Sequence, residues 1–176
     1  MKYLTILRHG KSSWANPGLA DKDRPLNERG TMQLPALAHW FSHALAERGT
    51  PAPDVILCSP AIRTQQTFEG FAQSVQEAEV EMVEPLYSGS FDDYWDALCT
   101  QSGDHIVLVA HNPHCDELAR FLTAPSSPAA NHLMERHFAT ANLALFSFDM
   151  EDWTELARGG GQLQVFLRPA DMMAKA

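Results

Sequence analysis

Three short apolar runs, each breaking off at a basic or imidazole-bearing corner, constrain this chain more than any other feature. They are Tyr3-Leu4-Thr5-Ile6-Leu7, Val55-Ile56-Leu57-Cys58-Ser59 and Ile106-Val107-Leu108-Val109-Ala110. Each is β-prone and largely unbroken by polar residues, the pattern of strands covered on both faces, and each runs on into a helix-forming segment. The first ends in Arg8-His9-Gly10 and the third in His111-Asn112-Pro113; the second leads through Pro60 to Arg63 in the first turn of a helix. Parallel strands with crossover helices bring all three corners to one edge of the sheet, where open α/β sheets bind ligands.

The rest of the chain fits that frame. Residues 15–26 are rich in Pro, Gly and Asp and read as an ordered loop or lid. Asn27 is a helix cap, and Leu34, Leu37, Phe41 and Leu45 follow at helical spacing. Pro35 lies inside that pattern and is expected to kink the helix or split off its first turn. A helix over about residues 61–76, a short strand over 80–83 and a helix near 94–100, opened by Asp92 and Asp93, come next. Another helix passes through Leu118 and Phe121, and residues 124–131 read as a flexible loop. Residues 144–149 and 164–167 predict late strands, with a weaker one over 153–157 and a tight turn at Gly159-Gly160-Gly161. The expected fold is a single α/β domain over residues 1–176. It is a three-layer sandwich, with a mainly parallel central sheet, an antiparallel edge and helices on both faces.

Composition narrows the function. A formal charge of −9 argues against nucleic-acid binding over a broad surface, so any phosphate must be met by locally concentrated cations. No apolar run is long enough to span a membrane and no signal peptide opens the chain, so a cytoplasmic protein without membrane contact is expected. Cys58, Cys99 and Cys115 are odd in number and widely spaced, which fits reduced thiols rather than a disulfide framework or a zinc site.

Two arginines, two histidines and helix amino ends make a pocket for a dianion. Guanidinium groups grip phosphate oxygens in pairs, and an imidazole among them can attack phosphorus in line. Arg8, His9, Arg63 and His111 are therefore the expected catalytic residues. No glycine-rich phosphate loop and no carboxylate cluster is visible, so a metal-free, cofactor-free covalent mechanism is expected.

RHGKSSW at the start resembles the signature of the histidine phosphatase, or phosphoglycerate mutase-like, superfamily. So do the segments DKDRPLNERG, CSPAIRTQQT, PLY, VLVAHNP and TANLALFSFD. The likeness to its small SixA-type phosphohistidine phosphatases extends over nearly the whole chain. The resemblance implies a phosphoglycerate mutase-like fold, with His9 as nucleophile and Arg8 and Arg63 as phosphate ligands. His111 would be the second imidazole on the phosphoryl group, and Gly10 and Ser12 further substrate contacts. Two departures follow. Ala15 stands where many members carry a phosphate-contacting asparagine, and Ser88 where the mutases carry a general-acid glutamate. An alkoxide leaving group wants a proton donor, whereas the P–N bond of phosphohistidine needs far less help. The expected substrate is therefore phosphohistidine on a signalling or phosphotransfer protein, with inorganic phosphate as product. Asp21, Asp23, Asp92 and Asp93 remain as possible acids. The alternatives are a phosphatase or mutase for small phosphorylated metabolites, and a non-catalytic phosphate-binding module.

The remaining features read as structural. His39 and His43, and His111 with His114, lack a third metal ligand, so no metal site is expected. His105, His132 and His137 read as solvated, and Cys115 as helix filler. Trp14 and Tyr87 read as packing residues, and Met172-Met173 as a tail lying on the sheet.

Overall fold

In the computed structural model, which describes residues 1–72, 75 and 78–169, six strands form one mixed sheet. The strands are β1 (Lys2–Arg8), β2 (Val55–Cys58), β3 (Glu79–Met82), β4 (His105–Ala110), β5 (Leu143–Phe148) and β6 (Gln162–Leu167). Their order is β3-β2-β4-β1-β5-β6. The first four are parallel, and β5 runs antiparallel to both β1 and β6. The three-layer α/β architecture expected from the apolar runs is the one observed.

Alternation along the strands divides two cores. Leu4, Ile6, Leu57, Ile106 and Leu108 pack on one face with Leu98, Leu118 and Leu122. These last come from α4 (Phe91–Cys99) and α5 (His114–Leu122). Leu7, Ile56, Cys58, Val107 and Val109 pack on the other with Leu34, Leu37, Phe41 and Phe71 of α1 (Glu28–Arg48) and α2 (Ile62–Phe71). Period-2 side chains on a sheet buried on both faces produce this division.

Local signals set the helix limits. Asn27 caps α1, its side chain accepting from the Gly30 amide at 2.9 Å, and Gly49 ends it at φ +60°. Pro35 does not split α1, which runs unbroken through it. Pro35 and Thr31, whose carbonyl would otherwise receive the missing N–H, both lie on the solvent face. Ser90 and Asp93 form a reciprocal capping box at the start of α4.

Four expectations change. Trp153–Glu155 is a 3-10 turn with its own Asp152/Glu155 capping box, so no strand forms there, and the Trp153 indole is fully buried. Residues 124–131 are anchored: the buried Ser127 hydroxyl accepts from the Leu163 amide at 2.9 Å, and α6 (Ala130–Met134) already begins in this stretch. α2 ends at Phe71, short of the expected helix end. His105 is fully buried, its Nδ1 donating to the Pro51 carbonyl at 2.8 Å and its Nε2 accepting from Thr5 Oγ1 at 2.9 Å. Met172-Met173 lies outside the described residues. Among the described residues, no helix is long and apolar enough to cross a membrane.

Candidate active site

The ladder fixes where the corners emerge. Arg8 is in register with Ala110, and Cys58 with Val109, so the three strands end together. Beyond them the His9 amide donates to the Ala110 carbonyl at 3.1 Å and the Ser59 amide to the Val109 carbonyl at 3.0 Å. His9 and His111 are thereby brought face to face, with ring centroids 5.0 Å apart.

Each imidazole is oriented by its second nitrogen. His9 Nδ1 donates to the Gly10 carbonyl at 2.7 Å, which leaves the Nε2 lone pair free. His111 Nε2 lies 2.8 Å from Ser59 Oγ. With the Ser59 hydroxyl donating, His111 carries its proton on Nδ1, a buried atom with no partner among the described residues. The Gly10 amide donates to Thr67 Oγ1 at 2.9 Å, so Gly10 serves the site through its carbonyl. Gly30, in the first turn of α1, lets the loop after His9 pass closely: a Cβ there would collide with the Lys11 carbonyl oxygen.

The guanidiniums are held just as firmly. Arg8 Nη1 donates to the Phe138 carbonyl at 2.8 Å, and Asn112 Nδ2 to the same oxygen at 2.9 Å. Ala141, at φ 59°, gives its amide to the Arg8 and His9 carbonyls, so a strained residue braces the backbone beneath the pair. Arg63 donates from Nη1 to the Asp21 carbonyl at 2.6 Å and from Nη2 to Asp21 Oδ2 at 3.0 Å. Tyr87, placed by α3 (Pro85–Ser88), donates to the same Oδ2 at 3.2 Å and stands edge-on to His111.

Sequence reasoning missed Arg24, Tyr87, Ser59 and Thr67. Arg24 is buried; its Nε donates to Asp21 Oδ1 at 3.1 Å and its Nη2 to the Ser12 hydroxyl at 3.0 Å. Trp14 is 72% exposed and lies over the Arg24 guanidinium at 3.5 Å, rather than packing in the core. Only the run Asp21-Lys22-Asp23-Arg24 in an otherwise uncharged loop signalled that the loop might carry charge to the site.

Five buried side-chain polar atoms among the described residues have no partner within the chain: Arg8 Nε, Arg24 Nη1, Arg63 Nε, His111 Nδ1 and Asp116 Oδ1. The first four belong to this cluster and all can donate. A buried unsatisfied donor costs about 1–3 kcal/mol, so four together describe a cradle for acceptor oxygens.

Burial pushes His9 down to about 4, and the charges of Arg63, Arg8 and Arg24 act in the same direction. Burial likewise lowers His111 to about 3, helped by His9 and Arg63. His105, at the far edge of the sheet, is lowered to about 4 by burial. All three are neutral at pH 7. Their folded values lie below the unfolded value near 6.5, so the unfolded chain takes up protons first as pH falls. The stability they lend is whole above about pH 6.5 and is lost progressively towards pH 4, on the order of 3 kcal/mol for each histidine. The urea midpoint should therefore drop clearly between pH 7.5 and pH 5. An unchanged midpoint would contradict the neutral, buried state of these rings.

The candidate acids divide. Burial raises the Asp21 carboxyl, but Arg63, Tyr87 and Arg24 outweigh it and hold the group below its ordinary value. Hydrogen bonds from Ser90 hold Asp93 low as well. Both are carboxylates at neutral pH and poor proton donors. Asp23, Asp92 and Ser88 lie exposed, as does Ala15. His39 and His43 are on the solvent face of α1, and His114 pairs with Glu117 at 2.8 Å. Cys115 is fully buried, with its thiol pushed far up by desolvation. Among the described residues, no three His, Cys, Asp or Glu side chains gather as a metal-binding group.

Comparison with known proteins gives a consistent result. The sequence profile of the histidine phosphatase superfamily (branch 1) matches residues 4–94. A protein of Nakamurella multipartitia provisionally assigned as phosphohistidine phosphatase SixA superposes with a TM-score of 0.78 at 30% identity, over 96% of both chains. One with the same provisional assignment from Agrobacterium tumefaciens gives 0.76 at 25% identity, over 96% of this chain and 98% of that one. The phosphohistidine phosphatase SixA homolog of Haemophilus influenzae is 28% identical over 132 residues, covering 70% of this chain and 78% of the relative.

Proposed function

Because this chain belongs to the histidine phosphatase superfamily and is a SixA-like phosphatase within it, we propose that it hydrolyses phosphohistidine on a partner protein. The reaction runs without a metal ion and passes through a phosphorylated His9. The observation that carries this reading is the state of His9. Its imidazole is neutral, its Nδ1 is tied to the Gly10 carbonyl, and its free Nε2 belongs to a site with four partnerless donors.

The steps follow from that geometry. Arg8, Arg63 and His111 Nδ1 hold the phosphoryl oxygens, and His9 Nε2 attacks phosphorus opposite the scissile bond. The fixed cations meet charge spreading over the equatorial oxygens, without reorganising as it develops. The P–N bond breaks as the P–Nε2 bond forms, and the substrate imidazole departs neutral when its ring entered protonated. Water then attacks the phosphohistidine, releasing inorganic phosphate and restoring His9. Nothing in these steps calls on a strong acid, which suits a site in which the Asp21 carboxyl is held ionised by two arginines. The elements above the strand ends are short, a 3-10 turn at Asp21–Asp23 and the four-residue α3, and they suit a side chain presented on a protein surface.

The test compares phosphate release from a histidine-phosphorylated protein with release from phosphoserine and sugar phosphates, with and without EDTA. The phosphoramidate should be preferred in kcat/KM by about 100-fold or more, the size of effect a missing general acid imposes on P–O cleavage. EDTA should change nothing. Equal turnover of the monoesters would overturn the substrate proposed here.

A further inference from the structure

We propose that Arg24 is a third phosphate-binding guanidinium of this site, delivered by the loop that follows the first strand and aimed by Asp21, Ser12 and Trp14. The proposal rests on the reading that the site holds a phosphoryl group, and it adds a ligand that the three sheet corners do not supply.

Arg24 is 8% exposed, unusual for an arginine in a loop that is otherwise mostly open to solvent. Three contacts fix its plane: Asp21 Oδ1 on Nε, Ser12 Oγ on Nη2, and the Trp14 ring against one face. Those contacts account for the stem and two nitrogens. Nη1 is left buried with no partner, in common with Arg8 Nε, Arg63 Nε and His111 Nδ1. A guanidinium retained only to brace the loop would not need a buried donor left unsatisfied.

Position supports the same conclusion. Ser12 stands three residues beyond His9 and pairs with Leu26 in an isolated antiparallel bridge, which draws Arg24 back over the His9 corner. One carboxylate, Asp21, joins Arg24 and Arg63 through its two oxygens and so fixes the guanidiniums relative to each other. The nearness is also electrostatic, because the Arg24 charge is one of the three that bear on the His9 imidazole. Charge balance agrees. Arg8, Arg24 and Arg63 against Asp21 leave two positive charges, which match a dianionic phosphoryl group; without Arg24 only one would remain. Asp21 is then a positioning residue, holding two cations together that would otherwise repel.

Calorimetric titration of inorganic phosphate into the wild-type chain, Arg24→Ala and Arg24→Lys tests the proposal without requiring turnover. Arg24→Ala should weaken phosphate binding about 10- to 100-fold. Arg24→Lys should stay within about threefold of the alanine variant, because the donors of an ammonium diverge from one atom and cannot span Asp21, Ser12 and a phosphate oxygen as the planar guanidinium does. The rise in Tm that phosphate gives the wild type should shrink in both. If the alanine variant does not fold, the lysine variant decides by its phosphate affinity relative to the wild type. Wild-type phosphate affinity in a folded variant would overturn the role of Arg24 and leave the phosphatase reading standing. A wild-type chain that binds no phosphate would overturn both.

Discussion

His9→Ala abolishes turnover on a phosphohistidine substrate, with kcat falling on the order of 10⁴-fold or more, while phosphate binding changes little. The two effects separate because His9 and the cations do different work. In the proposed site phosphate would be held by guanidinium nitrogens on Arg8, Arg63 and Arg24 and by His111, whose partnerless atoms are independent of the His9 side chain. The nucleophile has no substitute in the neighbourhood. His111 faces His9 at 5.0 Å between centroids, but its Nε2 is engaged with Ser59 and only its Nδ1 remains free. Stability should not suffer in proportion. Alanine removes a buried ring and its hydrogen bond to Gly10, but it also removes a group lowered to about 4 and so lessens the acid sensitivity of the fold. Steady-state kinetics paired with phosphate titration gives the result directly. Full activity in His9→Ala would refute the covalent mechanism, and parallel loss of binding and turnover would indicate a collapsed site.

Arg63→Ala lowers kcat/KM on the order of 10³-fold, and Arg63→Lys recovers no more than about tenfold of that loss. Arg63 grips Asp21 with Nη1 and Nη2, which leaves its buried Nε without a partner among the described residues and available to a ligand. Lysine can hold the carboxylate or the phosphate but lacks the planar fork that addresses both. Alanine has a further cost: Asp21 loses the guanidinium that most holds its carboxyl down, and a less well-paired carboxylate is left at the mouth of an anion site. Kinetics on the two variants decides between geometry and charge. If lysine restored wild-type kcat/KM, Arg63 would be acting as a point charge only.

Much of this was readable in the chain because the core elements announce themselves. Unbroken apolar runs predict β1, β2 and β4, and parallel strands joined by crossover helices put Arg8, His9, Arg63 and His111 on one edge of the sheet. Pro35 does not split off the first turn of α1, because its turn faces water, where the lost backbone hydrogen bond costs least. The weak strand expected over residues 153–157 does not form because the Asp152 and Glu155 capping box closes a 3-10 turn at Trp153. His105 lies at a strand end, where exposure is the default, yet Thr5 on the neighbouring strand and the Pro51 carbonyl satisfy both its nitrogens. Arg24 and Tyr87 were hidden for a different reason. They reach the site from a loop and a single helical turn, and neither has a period from which a facing direction can be read. Their meeting at Asp21 is a tertiary event, set by the path of residues 13–26 over the strand ends.

The central claim is that His9 carries the phosphoryl group on Nε2. Rapid quenching after brief exposure to a histidine-phosphorylated substrate, followed by alkaline peptide mapping and mass spectrometry, tests it. The account predicts one acid-labile phosphate on the peptide containing His9, located on Nε2 because Nδ1 is committed to the Gly10 carbonyl. Phosphate on His111, or on His9 Nδ1, would contradict it.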